Sequence, residues 1–199
     1  MAHIITLTGP AYCGKSTISR MFISYKGKNF DPVYVSKYTT RQARANDEDV
    51  ICVKKIPKEC DVVYEQYGVR YGIELESLYK LLEQGKTPII VVNDIRAVED
   101  IKAALGSLVI SIFLYRKAAV YDEFYLEEKE RAADNVIEEE IRKTAQTRFE
   151  KAQAIYRIYI ENIQLFDRVI LNVFDQKHTK MQVENIVNCL VKDSGGLKE

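Results

Sequence analysis

Gly9-Pro10-Ala11-Tyr12-Cys13-Gly14-Lys15-Ser16-Thr17 decides how the rest of the chain is read. An apolar run, Ile4-Ile5-Thr6-Leu7-Thr8, precedes it and has the composition of a buried strand. Ile18, Met21, Phe22 and Tyr25 follow at helical spacing. A strand, the pattern Gly-x-x-x-x-Gly-Lys-Ser and a helix, in that order, define a phosphate-binding loop. Gly9 and Gly14 permit backbone angles closed to other residues, so successive N–H groups can point inward as an anion nest. The helix beginning near Lys15 adds its unsatisfied N–H donors and the positive end of its dipole. Lys15 supplies a mobile cation for the outer phosphates, and the Ser16 hydroxyl can hold Mg²⁺. Cys13, inside the loop, is read either as a thiol acidified by the helix dipole or, in preference, as a small residue that a tight loop tolerates.

Outward from the loop, the chain alternates apolar runs with helical periodicities. Strands are expected at 3–8, 32–36, 88–92, 108–114 and 169–171, with helices from the loop to about 26, over 75–85, over 97–105 and through most of 118–165. Unbroken β-branched strands between helices indicate a parallel sheet covered on both faces. Short β-like pieces at 50–53, 62–64 and 69–72 suggest a small flap on that sheet. A last helix carries Met181, Ile186, Val187, Leu190 and Val191. The 199 residues, 47% of them hydrophobic, suit one domain with a substantial core. Lys+Arg and Asp+Glu both total 29, so there is no electrostatic case for nucleic acid or an anionic membrane as partner. No apolar run approaches the roughly 18 residues needed to span a bilayer, and the start of the chain lacks a secretory pattern, so a cytoplasmic location is the default expectation. Cys13, Cys52, Cys60 and Cys189 form no Cys-x-x-Cys pair, which argues against a zinc site or a disulfide framework.

A second motif narrows the reading. Thr39-Thr40-Arg41-Gln42-Ala43-Arg44 resembles the Thr-Thr-Arg-x-x-Arg segment of guanylate kinases. Further likenesses follow in order: Tyr71-Gly72, Leu82-Glu83-Gln84-Gly85-Lys86 with the strand ending at Asp94, Arg148 before the small-residue helix around Ala152, and Val169-Ile170-Leu171-Asn172. The resemblance spans about residues 4–172 and is weakest over 45–70. It implies a three-layer α/β/α P-loop kinase with a parallel core (about 1–36, 86–116 and 166–193), a small acceptor-binding flap (about 37–85) and a helical lid (about 117–148). It implies ATP and Mg²⁺ as cofactors. The reaction would be transfer of the γ-phosphoryl group to a nucleoside monophosphate, GMP first, by a monomer or homodimer. Gly9 through Thr17 and Asn172 would hold ATP, and Ser16 and Asp94 the metal. Lys15, Arg41, Arg148 and one of Arg131 or Arg142 would stabilise the transferring charge, and Lys37, Arg41, Arg44, Tyr71 and Asp94 would hold the acceptor. Relatives resembling guanylate kinase phosphorylate ribose 1,5-bisphosphate instead, and scaffold proteins carry the domain without catalysis, though with degraded phosphate loops.

The residues themselves leave several of these roles open. Arg41 and Arg44 can fork onto one phosphate or be solvated. Tyr71 can donate to that phosphate or pack the flap. Asp94 can read a base amine, hold Mg²⁺ through water, or cap a helix. The acidic run from Asp122 to Glu140 reads most simply as a solvated helix face. The chain also departs from the guanylate kinase pattern. Lys37 replaces a usual serine, either as a phosphate contact or as an exposed charge. No flap tyrosine stands near 50–53, the base-reading glutamate falls near Val62, the residue after Tyr71-Gly72 is Ile73, and the first acid of Asp-x-Asp is Val92. The phosphate chemistry is thus expected intact and guanine specificity is not.

Overall fold

The computed structural model describes residues 2–10, 13–27, 29–43, 49–66, 68–116, 120–132, 136–173 and 175–195, except for the side chains of Arg131 and 193–195. The elements are β1 (Ile4–Thr8), α1 (Lys15–Ser24), β2 (Pro32–Val35), β3 (Lys37–Thr39), β4 (Val50–Cys52), β5 (Val62–Gln66), β6 (Val69–Ile73) and α2 (Leu75–Glu83). They continue with β7 (Thr87–Val91), α3 (Ile95–Leu105), β8 (Val109–Arg116), α4 (Tyr121–Arg131), α5 (Glu138–Glu161), β9 (Arg168–Asn172) and α6 (Gln176–Gly195).

Five strands form one sheet in the order β2-β7-β1-β8-β9, and every pairing is parallel. Alternate residues of the central strands face opposite layers, as the pleat requires. Ile5 and Leu7 pack with Ile18 and Phe22 of α1 and Val183 and Val187 of α6. Ile4, Ile90 and Val92 pack with Leu78 of α2 and Val98 and Ile101 of α3. Buried on both faces, β1 and β7 carry near-continuous apolar sequence. The result is the expected three-layer α/β/α fold around a parallel sheet.

Two parts of the chain gain detail. The short β pieces over 50–73 join β3 in a second sheet, ordered β4-β3-β6-β5, in which β6 runs antiparallel to both neighbours. The helical pattern over 118–165 holds two helices. α4 ends at Arg131, α5 starts at Glu138, and Phe124, Ala145 and Ala152 pack between them. Small alanines on α5 let the two helices approach closely.

β9 is an edge strand whose exposed backbone is covered locally. Gln182 of α6 accepts from the Leu171 N–H at 2.9 Å and donates to the Leu171 carbonyl at 2.8 Å. Its carboxamide thereby takes the place of a neighbouring strand at that residue.

Candidate active site

The carboxyl ends of β1, β7, β8 and β9 face one side of the molecule, where ligands of parallel sheets gather. The loop after β1 is pulled tightly onto the sheet. A Cβ on Gly9 would lie 2.6 Å from Cys13 Sγ and 2.9 Å from the Leu114 carbonyl oxygen, so only glycine fits. Gly14 caps α1 in the left-handed conformation, φ 91°, and a Cβ there would meet Asn172 Nδ2 at 2.5 Å. Asn172, at the end of β9, donates to the Cys13 carbonyl at 3.0 Å and so braces the loop from outside. Cys13 is wholly buried in the apolar layer with Ile18. Burial pushes its thiol up from the ordinary value, against the pull of the Lys15 ammonium, which removes the reading of an acidified thiol.

Lys15 Nζ donates to the Gly9 carbonyl at 3.0 Å and the Pro10 carbonyl at 2.6 Å, which holds the ammonium across the mouth of the loop. Ser16 and Thr17, in the first turn of α1, are exposed. Ala11 and Tyr12 lie outside the described residues. Mg²⁺ is bound in such sites by one or two protein oxygens, with water and substrate phosphates completing the shell. The accessible Ser16 hydroxyl beside an anion-binding loop fits that donor set. Among the described residues no cluster of three His, Cys, Asp or Glu offers an all-protein cage.

Of the lid arginines, Arg148 reaches the loop. It lines a cavity of about 140 Å³ with Gly9, Lys15, Gln66, Asn93, Lys151, Ala152 and Ile155. Its guanidinium pairs with Glu128 of α4, itself largely buried, which joins the two helices at this point. Arg142 lies elsewhere, exposed on α5, paired with Glu138 at 2.9 Å and stacked 4.8 Å from the Tyr125 ring centre. Nothing is described of the Arg131 side chain, so the choice between Arg131 and Arg142 stays open.

The second sheet behaves differently. Lys37 is buried, with its ammonium 2.8 Å from the Val91 carbonyl, 3.4 Å from Asp49 Oδ2 and 5.6 Å from the Tyr71 ring centre. The reading of Lys37 as an exposed charge is therefore corrected: it ties β3 to β7. Burial pulls its pKa down to about 8 despite Asp49, and the nearby Lys15 and Arg41 charges act in the same direction as burial. Tyr71 stacks on Tyr64 with ring centres 5.1 Å apart. Arg41 is half-buried, its Nη1 donating to the Gln42 carbonyl at 3.0 Å. Arg44 lies outside the described residues. Asp94 caps α3, Oδ1 accepting from the Ala97 N–H at 2.9 Å. It also lines a second cavity of about 610 Å³ with Glu65, Arg96, Glu99, Tyr159 and Asn162.

The structure therefore brings Gly9, Lys15 and Arg148 together and places Asp94 in the neighbouring cavity, while Arg41, Tyr71 and Arg142 line neither. Lys151, Gln66 and Asn93 were missed. Lys151 stands three residues after Arg148 on the same helix face, a signal the sequence offered. Asn93 directly precedes Asp94 at a strand end. Gln66 carries no local signal.

The solved guanylate kinase from Anaplasma phagocytophilum superposes with a TM-score of 0.62 at 20% identity, covering 94% of this chain and 85% of that one. The fold is that of a guanylate kinase-like P-loop protein. Shikimate kinase from Acinetobacter baumannii in complex with shikimate aligns at a TM-score of 0.40 and 14% identity, covering 100% of this chain and 97% of that one. No protein-family model matches the sequence. No curated protein matches it at the sequence level either. No helix among the described residues is long and apolar enough to cross a membrane.

Proposed function

We propose that the chain is an ATP-dependent kinase whose acceptor already carries a phosphate. One observation carries this reading: Gly9 at the start of the loop, Lys15, whose ammonium lies astride it, and Arg148 of α5 line a single small cavity. That is the equipment phosphoryl transfer needs, since positioning and charge neutralisation supply most of its catalysis. An acceptor phosphate oxygen bonds to the γ-phosphorus as the bond to the β-phosphate oxygen breaks, and ADP leaves with the electron pair. No protein nucleophile is required. The loop amides and Lys15 hold the β- and γ-phosphates, Arg148 and Lys151 neutralise the transferring charge from α5, and Ser16 would hold Mg²⁺, which supplies further neutralisation of phosphate oxygens. The second sheet serves as the acceptor flap, with Arg41, Arg44 and Tyr71 its candidate phosphate contacts. The α4–α5 pair serves as the lid.

The resemblance makes GMP the first acceptor to test. A second reading, a phosphorylated sugar, is favoured by the two positions where guanylate kinases read the base. Val62 and Ile73 are 3% and 2% exposed and packed in the apolar cluster with Leu78 and Val92. Incubation with γ-labelled ATP and a panel of phosphorylated acceptors tests both. Lys15→Ala is expected to lower kcat on the order of 100-fold or more, the usual scale for losing one transition-state charge contact. Unchanged turnover in that variant would remove the kinase reading.

A further inference from the structure

Gln66, Asn93 and Ile155 line both cavities and form the neck between them. On one side lies the transfer chamber with Lys15 and Arg148, and on the other the larger chamber over the N-terminus of α3. We infer that the body of the acceptor sits in the larger chamber. The acceptor is a single phosphate monoester on a neutral or cationic body rich in hydrogen-bond donors, not a bisphosphate. This rests on the kinase reading and names the substrate class of the same site.

The space beneath the second sheet is already filled. Tyr64 and Lys37 are 8% and 3% exposed, and Val62 and Ile73 complete the packing. The open volume lies instead at the end of β5, where the neck is fixed from three elements. The Asn93 carbonyl, just past β7, accepts from Gln66 Nε2 of β5 at 3.3 Å and from the Tyr159 hydroxyl of α5 at 2.7 Å. Asn93 Oδ1 is buried with no hydrogen-bond partner, an acceptor that a ligand donor would satisfy. Carboxamides on one wall and Ile155 on the other suit a slim, uncharged, hydroxylated linker. Beyond the neck the lining carries three carboxylates, Glu65, Asp94 and Glu99, against the single guanidinium of Arg96. A second anion there meets net repulsion, whereas amine or hydroxyl donors meet acceptors. The chamber's roughly 610 Å³ accommodates a nucleoside or an amino sugar.

The test is steady-state transfer from γ-labelled ATP by the full chain to a nucleoside 5′-monophosphate, an amino-sugar phosphate, a pentose phosphate and a sugar bisphosphate. Glu99→Lys, Ile155→Trp and Lys15→Ala are assayed in parallel. Transfer to one or more of the monoesters and little to the bisphosphate is expected. Glu99→Lys, a surface change, is expected to raise the monoester KM roughly tenfold, move kcat far less, and lower the KM for the bisphosphate. Ile155→Trp, narrowing the neck, is expected to cut monoester transfer about 100-fold. Preference of the unaltered protein for the bisphosphate overturns the inference. So does transfer to none of the four acceptors. Unchanged acceptor KM in both neck and chamber variants, while Lys15→Ala abolishes transfer, overturns the inference and leaves the kinase reading standing. Unchanged turnover in Lys15→Ala removes the kinase reading itself.

Discussion

The phosphate loop and the second sheet meet at the same strand ends and are built on opposite plans. The loop keeps its polar groups outward: Ser16 and Thr17 are exposed, Lys15 spans the mouth, and the Cys13 thiol turns inward. The second sheet turns its groups inward. Val62, Tyr64 and Ile73 join the apolar cluster on β7 and α3, and Lys37 is buried beneath Tyr71. One half of the molecule is arranged to receive an anion. The inner face of the other is arranged to stay shut. On the kinase reading, one binding surface of the shared fold is kept and another closed, so the case for nucleotide phosphates rests on the loop and the flap makes no case for guanine.

The largest effect that would break this contrast belongs to Gly14→Ala. A Cβ forced into the left-handed conformation against Asn172 Nδ2 should weaken nucleotide binding about 100-fold, combining backbone strain with displacement of the loop. Titration with a fluorescent ATP analogue reads this directly, and unaltered affinity would mean that the loop's geometry is not for nucleotide.

Lys37 probes the closed half. The unfolded chain holds this proton to about pH 10.5, whereas the folded protein releases it near pH 8. The unfolded state therefore binds more protons in that window, and folding stability rises with pH through it. Below pH 8 both states are protonated and the full cost of burying the charge stands. The gain from pH 8 to above 10.5 should reach about 3 kcal/mol, from the pKa difference at roughly 1.4 kcal/mol per unit. Urea denaturation of the native protein and Lys37→Met at pH 7.5 and pH 9.5 checks it. The native protein should gain on the variant as pH rises, and parallel behaviour would show that Lys37 is not held as a buried ammonium.

Asp94 sits on the boundary between the halves. Asp94→Ala should cost about 1 kcal/mol from the lost α3 cap, while Asp94→Asn keeps the cap and should cost almost nothing. If Asp94 also faces the acceptor, Asn will still raise acceptor KM, separating the two roles in one pair of variants. The smallest effect is expected from Arg142→Ala. Its pair with Glu138 is exposed, so the denaturation midpoint should not move. A large fall in kcat with an unmoved midpoint would choose Arg142 over Arg131 as the second lid arginine beside Arg148.

The loop and the parallel sheet were legible because their signals are local. A glycine pair at fixed spacing, an apolar strand before it and a helix after it need no knowledge of distant residues. Arg148 was singled out only through the resemblance, by the alanine-bearing helix that follows it, and the structure sets it beside Lys15. The burial of Lys37 was not legible, because it depends on β3 pairing with β4 and on a carbonyl 54 residues away. The boundary between α4 and α5 was not marked because the six residues between them, Ala132-Ala133-Asp134-Asn135-Val136-Ile137, hold no proline or glycine to signal a stop. The neck of Gln66, Asn93 and Ile155 comes from three elements far apart in the chain, and no periodicity announces such a meeting.

The amide of Asn172 reaches back across 159 positions to the carbonyl beside Gly14. Two segments remote from each other in the chain are thus fastened together. Until the last strand docks, the anion nest lacks its outer support, so competence to grip a triphosphate should emerge late in refolding, after the bulk of helical signal has returned. On the kinase reading, nucleotide binding then depends on a contact between β9 and the loop, and not on the loop alone.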